Sequence, residues 1–140
     1  MHIMLDLACV CSKLRRSARI VSSLYDEALA PSGLTVAQFA LLRWLKRIGP
    51  CSMTAFAKAT AYDRTTLNRT LGALEKAGLV ASVSGKDQRA RIMSLTARGD
   101  EAIVAGRSGW EAAEARIDGV LGPARAQLFA LLDRVETLRA

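Results

Sequence analysis

Asp63-Arg64-Thr65-Thr66-Leu67-Asn68-Arg69-Thr70-Leu71-Gly72-Ala73-Leu74-Glu75-Lys76-Ala77-Gly78 is the stretch that decides the fold. Leu67, Leu71 and Leu74 recur at helical steps, so they form the inward edge of a helix over Arg64 to Ala77. Asp63 is a good N-cap, and Gly78 a good C-terminal stop. Thr65, Thr66, Asn68 and Arg69 are left facing outward near the N-terminal end. Upstream, a short helix from Ser52 or Thr54 to Thr60, with Phe56 and Ala57 inward, joins through the turn Ala61-Tyr62-Asp63. Downstream, Val80 to Ser84 and Ala90 to Leu95 alternate as strands around Gly85-Lys86-Asp87-Gln88-Arg89. Short helix, tight turn, second helix and basic hairpin make a winged helix-turn-helix.

Longer helices flank this unit. Leu5 to Leu29 reads as one helix, with Leu7, Cys11, Leu14, Ala18, Val21, Tyr25 and Ala28 in one apolar stripe. Ala30-Pro31-Ser32-Gly33 breaks it. Thr35 and Gln38 form a capping box for a second helix carrying Phe39, Leu42 and Leu45. That helix stops at Ile48-Gly49-Pro50. Thr96 caps a helix to about Asp118, which Gly106 and Gly109 weaken and bend. Gly122-Pro123 opens the last helix with Pro at its first position, and Leu128, Leu131, Leu132, Val135 and Leu138 form its stripe. The fold class is mainly α with a small β-hairpin wing. One domain spans 1–140: a winged helix-turn-helix over 34–96, with flanking helices over 1–33 and 97–140.

The 140 residues carry 20 Lys and Arg against 13 Asp and Glu, a net charge of +7. From Lys58 to Arg91 there are seven basic and three acidic residues, but from Glu101 to Ala140 five basic and six acidic. The positive field therefore coincides with the helix-turn-helix and wing, as phosphate binding requires. A recognition helix offers its N-terminal residues to base edges in the major groove. Arg69 suits guanine, Asn68 suits adenine, and Thr65 and Thr66 suit phosphate or a thymine methyl, while also serving as backbone caps. Lys86, Arg89 and Arg91 on the hairpin reach the flanking minor groove or backbone. Asp87 pairs with a nearby Arg and stiffens the wing tip.

Rival classes are disfavoured. One His, His2, removes most Ser-His and Cys-His arrangements, and no phosphate loop or metalloprotease motif is present, so an enzyme is not expected. An RNA module would show stacking aromatics on the basic face, which offers only Tyr62. The apolar run Leu7 to Cys11 is too short to span a membrane and lacks a signal peptide's flanks. A cytoplasmic protein with free thiols and no cofactor is expected.

The chain resembles the MarR family of bacterial transcription regulators, most strongly from Leu34 to Gly99. Leu34-Thr35-Val36-Ala37-Gln38-Phe39-Ala40-Leu41-Leu42 and Leu74-Glu75-Lys76-Ala77-Gly78-Leu79-Val80 carry the resemblance. So do Asp87-Gln88-Arg89 and Leu95-Thr96-Ala97-Arg98-Gly99, which are similar to the family's wing signature. The resemblance implies a homodimer in which the first and last two helices of each chain interlock. The paired wings then bind a pseudo-palindromic operator, often near the regulator's own promoter, and a repressor released by an effector is expected.

Cys9 and Cys11 stand near the start of the first helix, and Cys51 in the turn after the second. Small inert core residues are one reading. Redox sensing is another: a helix N-terminus with Lys13, Arg15 and Arg16 nearby favours the Cys11 thiolate. A Cys-x-Cys site for a soft metal or metalloid ion is a third, and an ordinary small-molecule effector with inert cysteines a fourth. The family's hydroperoxide-sensing branch has a reactive Cys at the place of Cys11, with Tyr four and fourteen residues on. Tyr25 matches the second Tyr, and Arg15 stands where the first would be. Cys11 and Tyr25 are about 21 Å apart along one helix, so they would meet only across a dimer. Two residues apart within an intact helix, Cys9 and Cys11 face differently, so a bridge between subunits or to a small thiol is favoured over one between them.

Overall fold

The computed structural model describes residues 9–60, 62–84 and 91–139. The first helix, α1, spans Val10–Leu29. Cys9 has extended backbone angles and caps the helix with its own side chain, so the expected start near Leu5 is corrected to Val10. Leu5 and Leu7 lie outside the described residues. A single 3-10 turn, Ala30–Ser32, ends at Gly33 with φ +79° and reverses the chain. The capping box predicted for α2, Val36–Ile48, is present in full. The Gln38 amide donates to Thr35 Oγ1 at 3.1 Å, and the Thr35 amide donates to Gln38 Oε1 at 3.0 Å. Asp26 of α1 accepts from the Val36 amide at 2.7 Å, which satisfies another free donor of the helix end.

After α2 the chain makes a two-residue strand, β1 (Cys51–Ser52), then α3 (Met53–Thr60), α4 (Arg64–Lys76), β2 (Val80–Ser84) and β3 (Arg91–Leu95). The wing is thus not a hairpin alone. β1 pairs antiparallel with β3, giving a three-stranded sheet of order β1-β3-β2. Two residues beside a Pro carry too little alternation to announce a strand. The register sets Ser82 against Met93 and Ser84 against Arg91. The hairpin tip at 85–90, including Ala90, lies outside the described residues.

Thr96 caps α5, Ala97–Leu121, which runs three residues past the expected end. It is continuous through Gly106 and Gly109, whose role is close packing. A Cβ at Gly109 would come within 2.2 Å of the Ala28 carbonyl oxygen, and one at Gly106 within 2.8 Å of the Phe39 ring. Pro123 is the N-cap of α6, Ala124–Glu136, one place before the position expected for it, and a 3-10 turn follows at Thr137–Arg139.

One core joins these elements. Leu29, Phe39, Leu42 and Leu45 of α1 and α2 are buried with Phe56 of α3, Leu67, Leu71 and Leu74 of α4, and Ile103 and Ala113 of α5. Val80 and Met93 bring the sheet into the same core. Burial of this kind contributes about 1.5–3 kcal/mol per large aliphatic or aromatic side chain. The terminal helices are different. Val10, Leu14, Ile20 and Val21 of α1 are exposed, as are Leu128, Phe129, Leu131 and Val135 of α6 and Leu138 beyond it. No helix among the described residues is long and apolar enough to cross a membrane.

Candidate nucleic-acid interface

Helix α4 is fixed from beneath and at both ends. Leu67, Leu71 and Leu74 are 0%, 3% and 1% exposed, as the leucine spacing predicts. Asp63 accepts from the Thr66 amide at 3.2 Å. Hydrogen bonds from the Thr66 hydroxyl and then its amide hold the Asp63 carboxyl below its ordinary value. Thr66 is therefore engaged in capping. Arg64 donates to Thr54 Oγ1 at 3.0 Å and ties the start of α4 to α3. With the helix so held, Thr65, Asn68 and Arg69 stand exposed along one face, at i, i+3 and i+4. Their side chains present a hydroxyl, an amide and a guanidinium, groups that can hydrogen-bond base edges or phosphates.

The far end of α4 meets the sheet. Gly78, at φ +79°, turns the chain from helix to strand. Arg91, at the tip end of β3, turns its guanidinium inward to Glu75 of α4, 3.3 Å away, and to Ser82 of β2. Lys86, Asp87 and Arg89 lie outside the described residues. Sequence reasoning missed the Arg91–Glu75 contact. Strand parity could have found it, because Arg91 and Ser82 share a face with the inward Met93 and Val80. An open cavity of about 610 Å³ lies between α3, α4 and the sheet, floored by Met53, Leu71 and Met93.

The model of the MarR family matches residues 32–90. A transcriptional regulator of Mycobacterium tuberculosis, MOSR, solved in complex with DNA, superposes with a TM-score of 0.81 at 32% identity; the match covers 95% of this chain and all of that one. The chain belongs to the MarR family. This is a family of DNA-binding transcriptional regulators and not of enzymes. BpsR of Bordetella bronchiseptica, whose DNA binding is regulated by 6-hydroxynicotinic acid, superposes at 0.80 with 28% identity over 91% of this chain and 93% of its own. The curated relative YwoH of Bacillus subtilis, an HTH-type transcriptional regulator, is 31% identical over 84 residues, 60% of this chain. That match spans 61% of the length of YwoH. The winged helix-turn-helix expected of this MarR-family chain is thus present.

The cysteines are placed more sharply than their spacing allowed. Cys9, not Cys11, is the capping thiol. The Ser12 amide donates to Cys9 Sγ at 3.3 Å, and the Ser12 hydroxyl oxygen lies 3.1 Å from the same sulfur. These two hydrogen bonds, the hydroxyl's first, pull the Cys9 thiol below its ordinary value. Because Cys9 lies outside the helix, the premise that both cysteines sit within one intact helix is corrected. Cys11 and Arg15 are exposed on the first turns of α1. Cys51 is half-buried in β1, where burial pushes its thiol up. Tyr25 is 9% exposed, and its hydroxyl donates to Glu114 of α5, which Arg125 of α6 also holds, at 2.7 Å. Burial, and then Glu114, raise the Tyr25 phenol. No group of three His, Cys, Asp or Glu side chains that could hold a metal occurs among the described residues.

Proposed function

We propose that this protein is a homodimeric repressor that reads a pseudo-palindromic operator with α4 and releases it in response to an effector. The exposed Thr65, Asn68 and Arg69 face on a buried leucine edge carries this reading. Arg69 and Asn68 contact base edges, Thr65 contacts phosphate or a thymine methyl, and Thr66 sets the helix end. Lys86 and Arg89 hold the backbone from the wing, with Asp87 stiffening its tip. The exposed apolar faces of α1 and α6 supply the dimer contact, since patches of this kind mark protein interfaces. Helices 1–33 and 97–140 then serve dimerisation, and 34–96 serves DNA. The work is done in the cytoplasm, where the operator is.

The test is sedimentation equilibrium combined with footprinting on DNA upstream of the protein's own coding region. A dimer protecting two half-sites about one helical turn apart supports the proposal. A monomer, or protection without sequence preference, refutes it.

The effector is an oxidant acting on Cys9, the observation in favour being the Ser12 hydrogen bonds to its sulfur. The Cys9 thiolate attacks an organic hydroperoxide. The O–O bond breaks, the distal oxygen joins sulfur as a sulfenic acid, and the alkoxide leaves and takes a proton from water. A second thiol, Cys11 or a small thiol, then condenses with the sulfenic acid and water is lost. Release of DNA by hydroperoxide that dithiothreitol reverses, and that Cys9→Ser abolishes, is expected. Binding that ignores the oxidant returns the cysteines to structural roles. It would direct the search to a small-molecule effector of the kind that regulates BpsR.

A further inference from the structure

We propose that Arg91 is a positioning residue: its guanidinium bonds to Glu75 and Ser82 form a tie that sets the wing against the recognition helix, and it is not spent on phosphate. The proposal deepens the DNA-binding function proposed above and rests on it. Arg91 Nη2 donates to Glu75 Oε1 at 3.3 Å and Oε2 at 3.4 Å, and to Ser82 Oγ at 2.6 Å. Ser82 Oγ in turn donates to Glu75 Oε1 at 2.8 Å, closing a three-residue ring. The ring joins three elements: Glu75 from the last turn of α4, Ser82 from β2 and Arg91 from β3.

Its location gives the ring leverage. Arg91 opposes Ser84 in the rung nearest the hairpin tip. On the inner face of the two wing strands the buried apolar residues are Val80 and Met93, and Met93 shares its rung with Ser82. Toward the tip, Glu75, Ser82 and Arg91 line the open cavity of about 610 Å³ between α3, α4 and the sheet. A polar bridge across the rim of this solvent-open cleft fixes an angle that side-chain packing does not set there. A rotation at this rung changes the direction in which both strands leave the sheet. Charge agrees with this role. The Arg91 cation is already matched by the Glu75 carboxylate, so transfer to phosphate would leave a bare anion beside the DNA.

The side chains of Arg91 and Glu75 are 58% and 42% exposed, which predicts modest effects and folded variants. Glu75→Gln, Arg91→Gln and the double variant form the test, each read twice. The first reading is amide hydrogen exchange of β2 and β3 without DNA. Each single variant should speed exchange about two- to five-fold, and the double variant should be no faster than the worse single. Additive effects overturn the tie. The second reading is operator affinity against salt. Arg91→Gln should leave the salt slope unchanged, and Glu75→Gln should weaken binding although it removes a negative charge. A slope lowered by about one for Arg91→Gln, with tighter binding by Glu75→Gln, makes Arg91 a phosphate contact and overturns the proposal. A wild-type protein with no sequence-specific DNA binding overturns the functional reading instead, and the exchange cycle still decides the tie.

Discussion

Thr96 donates its hydroxyl to the carbonyl of Gly78 at 2.7 Å, joining the turn after α4 to the start of α5. The same oxygen accepts from the Gly99 amide at 3.0 Å, and the Thr96 amide donates to the Leu79 carbonyl at 3.2 Å. Gly99 is buried there, and the approach is so close that a Cβ would lie 2.3 Å from the Leu79 carbonyl oxygen. The spacing Leu95-Thr96-Ala97-Arg98-Gly99 thus describes a joint: a cap, a bond to a residue 18 positions earlier and a close approach within five residues.

Thr96→Val keeps the shape and removes the hydroxyl. It should destabilise the fold by about 2 kcal/mol, combining a lost cap with a carbonyl left short of a donor. Urea unfolding of the two proteins measures this. A loss below about 0.5 kcal/mol would show that the joint is not held by Thr96.

Two glycines in helices should respond oppositely to alanine. Gly109→Ala drives a methyl into the Ala28 carbonyl and should cost about 1–3 kcal/mol. At Gly72 a Cβ meets nothing within 4 Å, so Gly72→Ala should gain up to about 1 kcal/mol from helix propensity. Paired thermal melts report both signs, and equal effects would contradict the close packing of α1 on α5.

The pH dependence of α4 follows from its cap. The Asp63 carboxyl is held below its ordinary value of 3.8 in the folded chain by hydrogen bonds from Thr66. Its contribution to stability is therefore complete above about pH 5 and is lost as pH falls through the lowered folded value. Asp63→Asn keeps a capping acceptor and should flatten this part of the acid-unfolding profile. An unchanged profile would mean that Asp63 does not supply the linkage.

Thiol chemistry should separate the cysteines. The Cys9 thiol is lowered by Ser12, and that of Cys51 is raised by burial. Iodoacetamide at neutral pH should modify Cys9 before Cys51, and Ser12→Ala should slow Cys9 alone. Peptide mapping by mass spectrometry follows both sites. Faster reaction at Cys51 would remove the physical basis of the redox proposal.

Much of the fold was legible because its signals are local. The Thr35 and Gln38 box, the Asp63 cap, the Gly78 stop and the three inward leucines of α4 each follow from spacing within one turn or two. The missed features needed partners distant in sequence. β1 exists because Cys51 meets Met93, and nothing at Cys51-Ser52 alone announces it. Gly106 and Gly109 read as weak points by propensity, but tertiary packing gives them another role. The start of α1 turned on whether Cys9 continued or capped the helix, and an apolar stripe scores both alike. At the interface, exposure of Thr65, Asn68 and Arg69 was readable from the leucine edge. The Arg91–Glu75 contact was legible only in part: strand parity sets Arg91 on the face of Ser82 and Met93, but nothing local says that Glu75 of α4 lies beside it.

The most direct test of the central claim is fluorescence anisotropy on the duplex upstream of the protein's own coding region. Wild type and Arg69→Ala would be compared at fixed salt, with random duplex as competitor. The account predicts that wild type binds this duplex at least about 10³-fold more tightly than random DNA, with two chains per duplex. Arg69→Ala should lose about 1–3 kcal/mol of that preference. Equal affinity for both duplexes, or equal affinity of wild type and Arg69→Ala for the upstream duplex, would contradict base readout by α4.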